Sequence, residues 1–212
     1  MMEDELKKVY DETGCTDPII WIDRGYHNTP NILRNKLQQI IDELKDNDII
    51  LLTFGLCGNA LQGILSKQAK LVLPRFDDCI NLLLYTEKKK RKERALAKAG
   101  SIYVTRGWTL EPESILAQYE QNIEKYGYET AKIVIEMMYE NYKEIRLINT
   151  GCYDIKPVEE YVKKAAELTN LSTSYTEGSS IILKQLILEQ WDNNFIIQEA
   201  GIELDACQWE ML

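Results

Sequence analysis

At 212 residues the chain is long enough for one domain with a substantial core, and its 45% hydrophobic and 28% charged content is ordinary for a soluble globular protein. No apolar run approaches the about 18 residues that span a bilayer, and a net charge of -9 argues against nucleic-acid binding, which needs a basic surface. Five cysteines, odd in number and irregularly spaced, do not read as a disulfide framework, and the charged opening MMEDELKKVY lacks the apolar core of a signal peptide, so reduced thiols in a cytoplasmic protein are expected.

Leu6, Val9 and Tyr10 recur at helical spacing and predict an amphipathic helix over Glu3–Thr13. Asp17-Pro18 breaks the chain, residues 19–22 read as a strand, and the polar loop RGYHNTP carries the only histidine, His27. Thr29 as N-cap and Pro30 at the first helical position start the next helix, with Ile32, Leu33, Leu37, Ile40, Ile41 and Leu44 as its apolar face. Residues 49–54 are β-branched or aromatic and uncharged, which predicts a strand buried on both faces near the middle of a parallel sheet. Gly55 and Gly58 permit a sharp reversal, and Asn59 is placed to cap a helix over 60–65. Cys57 therefore falls in a strand-to-helix turn, where a helix N-terminus lowers a thiol pKa.

A short strand over 71–73 ends in Pro74-Arg75, after which Asp77 or Asp78 caps a helix with Cys79 in its first turn. The run EKKKRKERALAKAG reads as the exposed continuation of that helix, ended by Gly100. Glu87 and Glu93 interleave with its lysines, as on a solvated face rather than a basic recognition site. A strand over 101–105 ends at RGWT, helices over 113–125 and 129–142 part at Gly127, and a strand over 145–148 ends at NTGCYD. A helix over Lys156–Thr169 follows, then strands over 171–176 and Phe195–Gln198 on either side of a helix over 180–189. This alternation predicts a single α/β domain over 1–212, a three-layer Rossmann-like sandwich on a mostly parallel sheet of five to seven strands.

If the strands are parallel, the loops at their C-terminal ends share one edge, the usual place for ligands in such sheets. Those loops hold Arg24, Tyr26 and His27; Cys57 and Asn59; Arg75, Asp77, Asp78 and Cys79; Arg106 and Trp108; and Cys152 and Asp154. Cys57, Cys79 and Cys152 could converge as thiolate ligands of a soft metal, zinc, or an iron-sulfur cluster with one open iron position. No CxxC spacing supports that set, and three structural cysteines are the alternative. GLCGN is also similar to a nucleophile elbow with Asn59 where the last glycine would stand, and His27 is the sole candidate base. Arg24, Arg75 and Arg106 over helix N-termini would hold a carboxylate or phosphate, or each is a surface ion pair. Neither GxGxxG nor GxxxxGK[ST] is present, which disfavours nucleotide binding by those routes.

The ordered set RGYHNTP, FGLCGN, LPRFDDCINLLL, YVTRGW, LINTGCYD and EGSSIILKQLILEQWDNNFIIQEAG resembles the domain-of-unknown-function family 1638 over essentially the whole chain. Cys57, Cys79, His27, Pro30, Asn59, Arg75, Asp78 and Trp108 match the family pattern, whereas Cys152 falls at a variable position. Members tend to begin with an additional strand carrying a cysteine just before the first helix, and this sequence starts inside that helix. The resemblance implies no assigned activity. It implies an association with corrinoid-dependent methyltransferases for methylated amines in anaerobes, and so a corrinoid protein or methyltransferase as a partner beside a small-molecule ligand. The expected function is thus a metal or iron-sulfur centre on Cys57 and Cys79, with Cys152 as a weaker third ligand, in corrinoid-linked methyl metabolism. Arg24, Tyr26, His27, Asn59, Arg75, Asp78, Arg106 and Trp108 would surround the substrate. The alternative is a thiol enzyme, or a metal-free binding module for a small anionic molecule.

Overall fold

The computed structural model describes residues 1–86 and 97–209, and within them the chain forms a mixed α/β fold with two three-stranded sheets. Helix α1 (Glu3–Thr13) buries Leu6 and Val9 and ends at Gly14, whose N–H donates to Tyr10 O from a left-handed conformation. A strap without regular structure follows, then a 3-10 turn (Arg24–Asn28) and α2 (Pro30–Glu43), which starts at Thr29 and Pro30 as its sequence predicts. The first sheet has the order β1-β2-β6, from β1 (Ile49–Leu51), β2 (Lys70–Pro74) and β6 (Phe195–Gln198), with β1 parallel and β6 antiparallel to β2. The second is all parallel in the order β3-β4-β5, from β3 (Ser101–Val104), β4 (Glu144–Asn149) and β5 (Ser172–Glu177). Helices α3 (Cys79–Leu84), α4 (Arg106–Thr109), α5 (Ile115–Tyr126), α6 (Tyr128–Tyr139), α7 (Lys156–Thr169) and α8 (Ile181–Ile187) complete the described elements.

Two sheets of three strands replace the single one of five to seven, with β2 flanked by β1 and β6 in the first and β4 by β3 and β5 in the second. One apolar cluster nevertheless spans both. Val72 and Phe195 from the first sheet pack with Tyr103 and Ile148 from the second, together with Val9, Leu82 and Leu183. Strand β1 lies at an edge rather than in the middle, and Ile49 at its start is 38% exposed. Arg75 pins the start of β6, donating from its backbone N–H to Asn194 O (2.7 Å) and from its guanidinium to Phe195 O (3.2 Å).

Three local expectations change. Residues 19–22 are not a strand: no backbone hydrogen bond joins 16–22 to the rest of the described chain, and Ile20 and Trp21 are both half exposed. Residues 60–63 are turns and 64–65 have no regular structure, because Gly63 adopts φ 80° and its N–H donates to Leu204 O (2.7 Å) while Leu204 N–H returns to Ile64 O (2.9 Å). Pairing with the C-terminal stretch has taken the groups a helix would use. Helix α3 ends at Leu84, where Tyr85 turns to an extended conformation. Most of the basic run that was read as its continuation lies outside the described residues.

The second sheet is clamped by Glu144, whose carboxylate accepts from Ser101 Oγ on β3, Ser174 Oγ on β5 and Arg146 Nη2, each at 2.6 Å. Those bonds, with Ser101 and Ser174 first, hold its pKa down at about 2 against an ordinary 4.5. A carboxylate depressed by folding stabilises the fold fully above its unfolded pKa and loses that contribution as pH falls through the folded one. Urea denaturation between pH 6 and 2 is expected to show stability falling below about pH 4.5, with Glu144→Gln removing that part of the slope.

Candidate functional site

Beyond β1 the chain stays extended and is stitched to the segment that follows β2. Leu52 N–H donates to Val72 O (2.9 Å), Leu56 N–H to Phe76 O (2.8 Å) and Cys57 N–H to Asp77 O (2.8 Å). Gly55 makes the approach possible, since a Cβ there would stand 2.7 Å from Phe76 O and 2.9 Å from Asp78 Cα. The chain then reverses through three consecutive left-handed residues, Cys57 (φ 46°), Gly58 (φ 65°) and Asn59 (φ 68°). For the two that carry side chains this conformation costs about 1–2 kcal/mol each, and such strain concentrates at functional turns. On the facing segment Asp78 caps α3, its Oδ1 accepting from Asn81 N–H at 2.7 Å, so that Cys79 is the first helical residue and is buried.

Cys57 and Cys79 thereby line the same cavity, of about 560 Å³. Leu6 of α1, Trp21 and Ile22 of the strap, Leu33 of α2 and Phe54 form its apolar wall, and Arg24 and His27 from the 3-10 turn supply further polar groups. The volume suits a metabolite-sized ligand. The backbone amides of Gly55 and Cys79 favour the Cys57 thiolate, and the Cys79 amide favours its own.

The electrostatics oppose the lowered thiol pKa expected from sequence. No helix begins at Asn59, so the dipole that would favour a thiolate is missing, while burial and then the Asp78 charge push Cys57 up to about 11. Cys79 is raised further by burial, by Cys57 and by Asp78. Burial also lowers the His27 pKa. At neutral pH the cavity therefore holds two thiols and an imidazole without charge, and no hydrogen bond links His27 to Cys57 as a nucleophile-base pair would require.

Arg24 reaches its neighbours only at long range: Gly107 O and Glu3 Oε2 at 3.4 Å, and Glu111 Oε1, a buried oxygen without a hydrogen bond, at 3.8 Å. The other residues anticipated at the site lie elsewhere. Tyr26 packs against the core beside α2, the Asn59 carbonyl accepts from Arg34 at 2.6 Å, and Arg75 anchors β6. Arg106 pairs with Asp4, and Trp108 meets Tyr161 edge-on with ring centroids 6.2 Å apart. Cys152 faces Thr150 O at 3.5 Å, has Glu5 and Lys8 as its charged neighbours, and is not part of the cavity wall. Asp78 acts on the site through its charge. Sequence reasoning missed the α1 residues and Trp21 as wall; the compact apolar run after Pro18 was the signal for Trp21, but it was read as a strand.

The donor set bears on the expected metal. An iron-sulfur cluster takes three or four cysteine ligands from its protein and a catalytic zinc takes three protein ligands. Cys57, Cys79 and His27 all line the cavity, but among the described residues no group of three His, Cys, Asp or Glu is placed to hold a metal ion.

The family model described as a protein of unknown function, DUF1638, matches residues 21–187, and the chain belongs to that family. No curated protein and no solved structure matches it. The matched span includes Trp21, Arg24, His27, Cys57 and Cys79, whereas α1 lies outside it. Among the described residues no helix is long and apolar enough to cross a membrane.

Because the thiol of Cys57 is held up near 11, iodoacetamide should alkylate it at pH 7 far more slowly than the exposed Cys207. Asp78→Asn keeps a capping side chain while removing the negative charge, so the Cys57 pKa should fall and its alkylation at fixed pH should speed up. Peptide mapping of a time course reads both rates.

Proposed function

We propose that this protein binds a metabolite-sized molecule with an apolar body and an acidic group, without a metal, in the cavity beside Cys57 and Cys79. The observation that carries this reading is the convergence of Arg24, His27, Cys57 and Cys79 on one cavity of about 560 Å³. Leu6, Leu33 and Phe54 would take the apolar body. Arg24 would take the acid, because a guanidinium has five donors and none of its present contacts is shorter than 3.4 Å. The uncharged thiols and imidazole give a stretch of wall that a largely apolar ligand can cover without stripping water from an ion, and Glu3 and Asp23 line the part beside Arg24. A corrinoid macrocycle is too large for this volume. A link to corrinoid proteins would run through a small substrate held here.

The probe is 1-anilinonaphthalene-8-sulfonate, an apolar aromatic anion. It should bind native protein saturably at one site, and Arg24→Ala should weaken it about tenfold, the effect of about 1.4 kcal/mol. Leu33→Trp, which fills the cavity, should abolish binding while far-UV circular dichroism is unchanged. Dye binding indifferent to both substitutions would overturn the assignment.

A further inference from the structure

We infer that Cys57 and Cys79 form a redox pair that closes to an intramolecular disulfide by exchange with a small-molecule disulfide entering the cavity. The inference rests on the binding reading only in using the same cavity as the way in. Its own basis is the interlock of the two backbones. Hydrogen bonds of 2.8 Å from Leu56 and Cys57 to Phe76 and Asp77, with no room for a Cβ at Gly55, hold the two cysteine-bearing turns side by side. The backbone amide of Cys79 favours the thiolate of both residues, and both side chains line one cavity. Cys57 has a strained left-handed backbone in a turn that no regular element contains, which leaves it the more movable partner.

The two thiols take different roles. Cys57 is the less buried, and the amides of Gly55 and Cys79 stabilise its developing negative charge, so it attacks first. Its sulfur bonds to one sulfur of the small disulfide, that S–S bond breaks, and the departing thiolate takes up the proton Cys57 has lost. The buried Cys79 sulfur then bonds to the Cys57 sulfur. The second small thiolate leaves with the electron pair of the mixed disulfide and takes the Cys79 proton. Two protein thiols are oxidised to one disulfide, and one small disulfide is reduced to two thiols. The direction of the second step is set by leaving ability. A small thiol of ordinary pKa departs more readily than Cys57, which is held near 11, when Cys79 attacks the mixed disulfide.

The test uses the full chain with Cys15, Cys152 and Cys207 replaced by Ser, reduced, freed of reductant and incubated anaerobically with oxidised glutathione at pH 8.5. Intact mass should fall by two hydrogens, with a Cys57–Cys79 linked peptide on digestion. Cys79→Ser, or Cys79→Ala if the hydroxyl disturbs the buried site, should stop at one glutathionyl group on Cys57. Cys57→Ser should remain unmodified. Protein that collects glutathione on Cys57 without ever closing, or a Cys79→Ala variant that collects none, would overturn the pair. Dye binding on the same samples separates the two readings: binding without closure sinks only the redox pair, and closure without binding sinks only the ligand assignment.

Discussion

The site depends on one close approach, that of the backbone at Gly55 to the backbone after β2. Parallel pairing of β1 with β2, with Ile50 opposite Leu71, sends both chains off the sheet in the same direction, but pairing alone would let them diverge past the last ladder bond. The bonds from Leu56 to Phe76 and from Cys57 to Asp77 extend the contact, and they form only because position 55 carries no side chain. The consequences are chemical. Two thiols far apart in sequence face one cavity, and the Asp78 carboxylate, immobilised as the cap of α3, is fixed beside both.

Desolvation is the largest influence on Cys57, Cys79 and His27 in this cavity, whereas the Lys7 hydrogen bond outweighs it at Glu3. Two backbone amides favour the Cys57 thiolate, yet burial and the Asp78 charge together exceed them. Glu5 shows the same balance on α1: it is 1% exposed, and burial raises its carboxyl despite a hydrogen bond from Thr150 Oγ1 at 2.9 Å. His27 shifts the opposite way, as burial requires of a base. The wall thus sets uncharged thiols and an imidazole beside Glu3, Asp23, the chain N-terminus at Met1 and a loosely held Arg24. Thiols held protonated in this way react slowly, and Cys57 is a poor leaving group from any disulfide it forms.

Elements whose signals were local could be read from sequence. Helix α7 and helix α1 have the boundaries predicted from apolar spacing, and the break at Gly127 separates α5 from α6 as expected. A helix cap at Asp77 or Asp78 was equally legible, and the structure uses Asp78; Arg24, His27, Cys57 and Cys79 do line one cavity, although Arg24 and His27 follow no strand. What failed depended on partners distant in sequence. The 19–22 run has strand composition but finds no strand to pair with, and the 60–65 run has helical composition but gives its backbone groups to Leu204. The Cys57 pKa was misjudged for the same reason, because it was argued from a helix that the C-terminal stretch prevents. Cys152 was placed by assuming one sheet, and the second sheet carries it to a different neighbourhood.

Helix α1 connects the cavity to that second sheet. Its Leu6 lines the cavity, its Val9 enters the cluster shared by both sheets, and its polar groups reach the far half through Asp4 to Arg106, Glu5 to Thr150, Lys8 to Gly151 O and Glu12 to Lys184. The exposed ion pairs contribute at most about 1 kcal/mol each. Burying Leu6 and Val9 contributes about 1.5–3 kcal/mol apiece and therefore decides whether the helix stays docked. The Asp4–Arg106 ion pair and the hydrogen bonds of Glu5 and Lys8 set its register against the loops that follow β3 and β4. The second sheet, which supplies no residue to the cavity wall, thus governs the cavity's shape by fixing the helix that closes it.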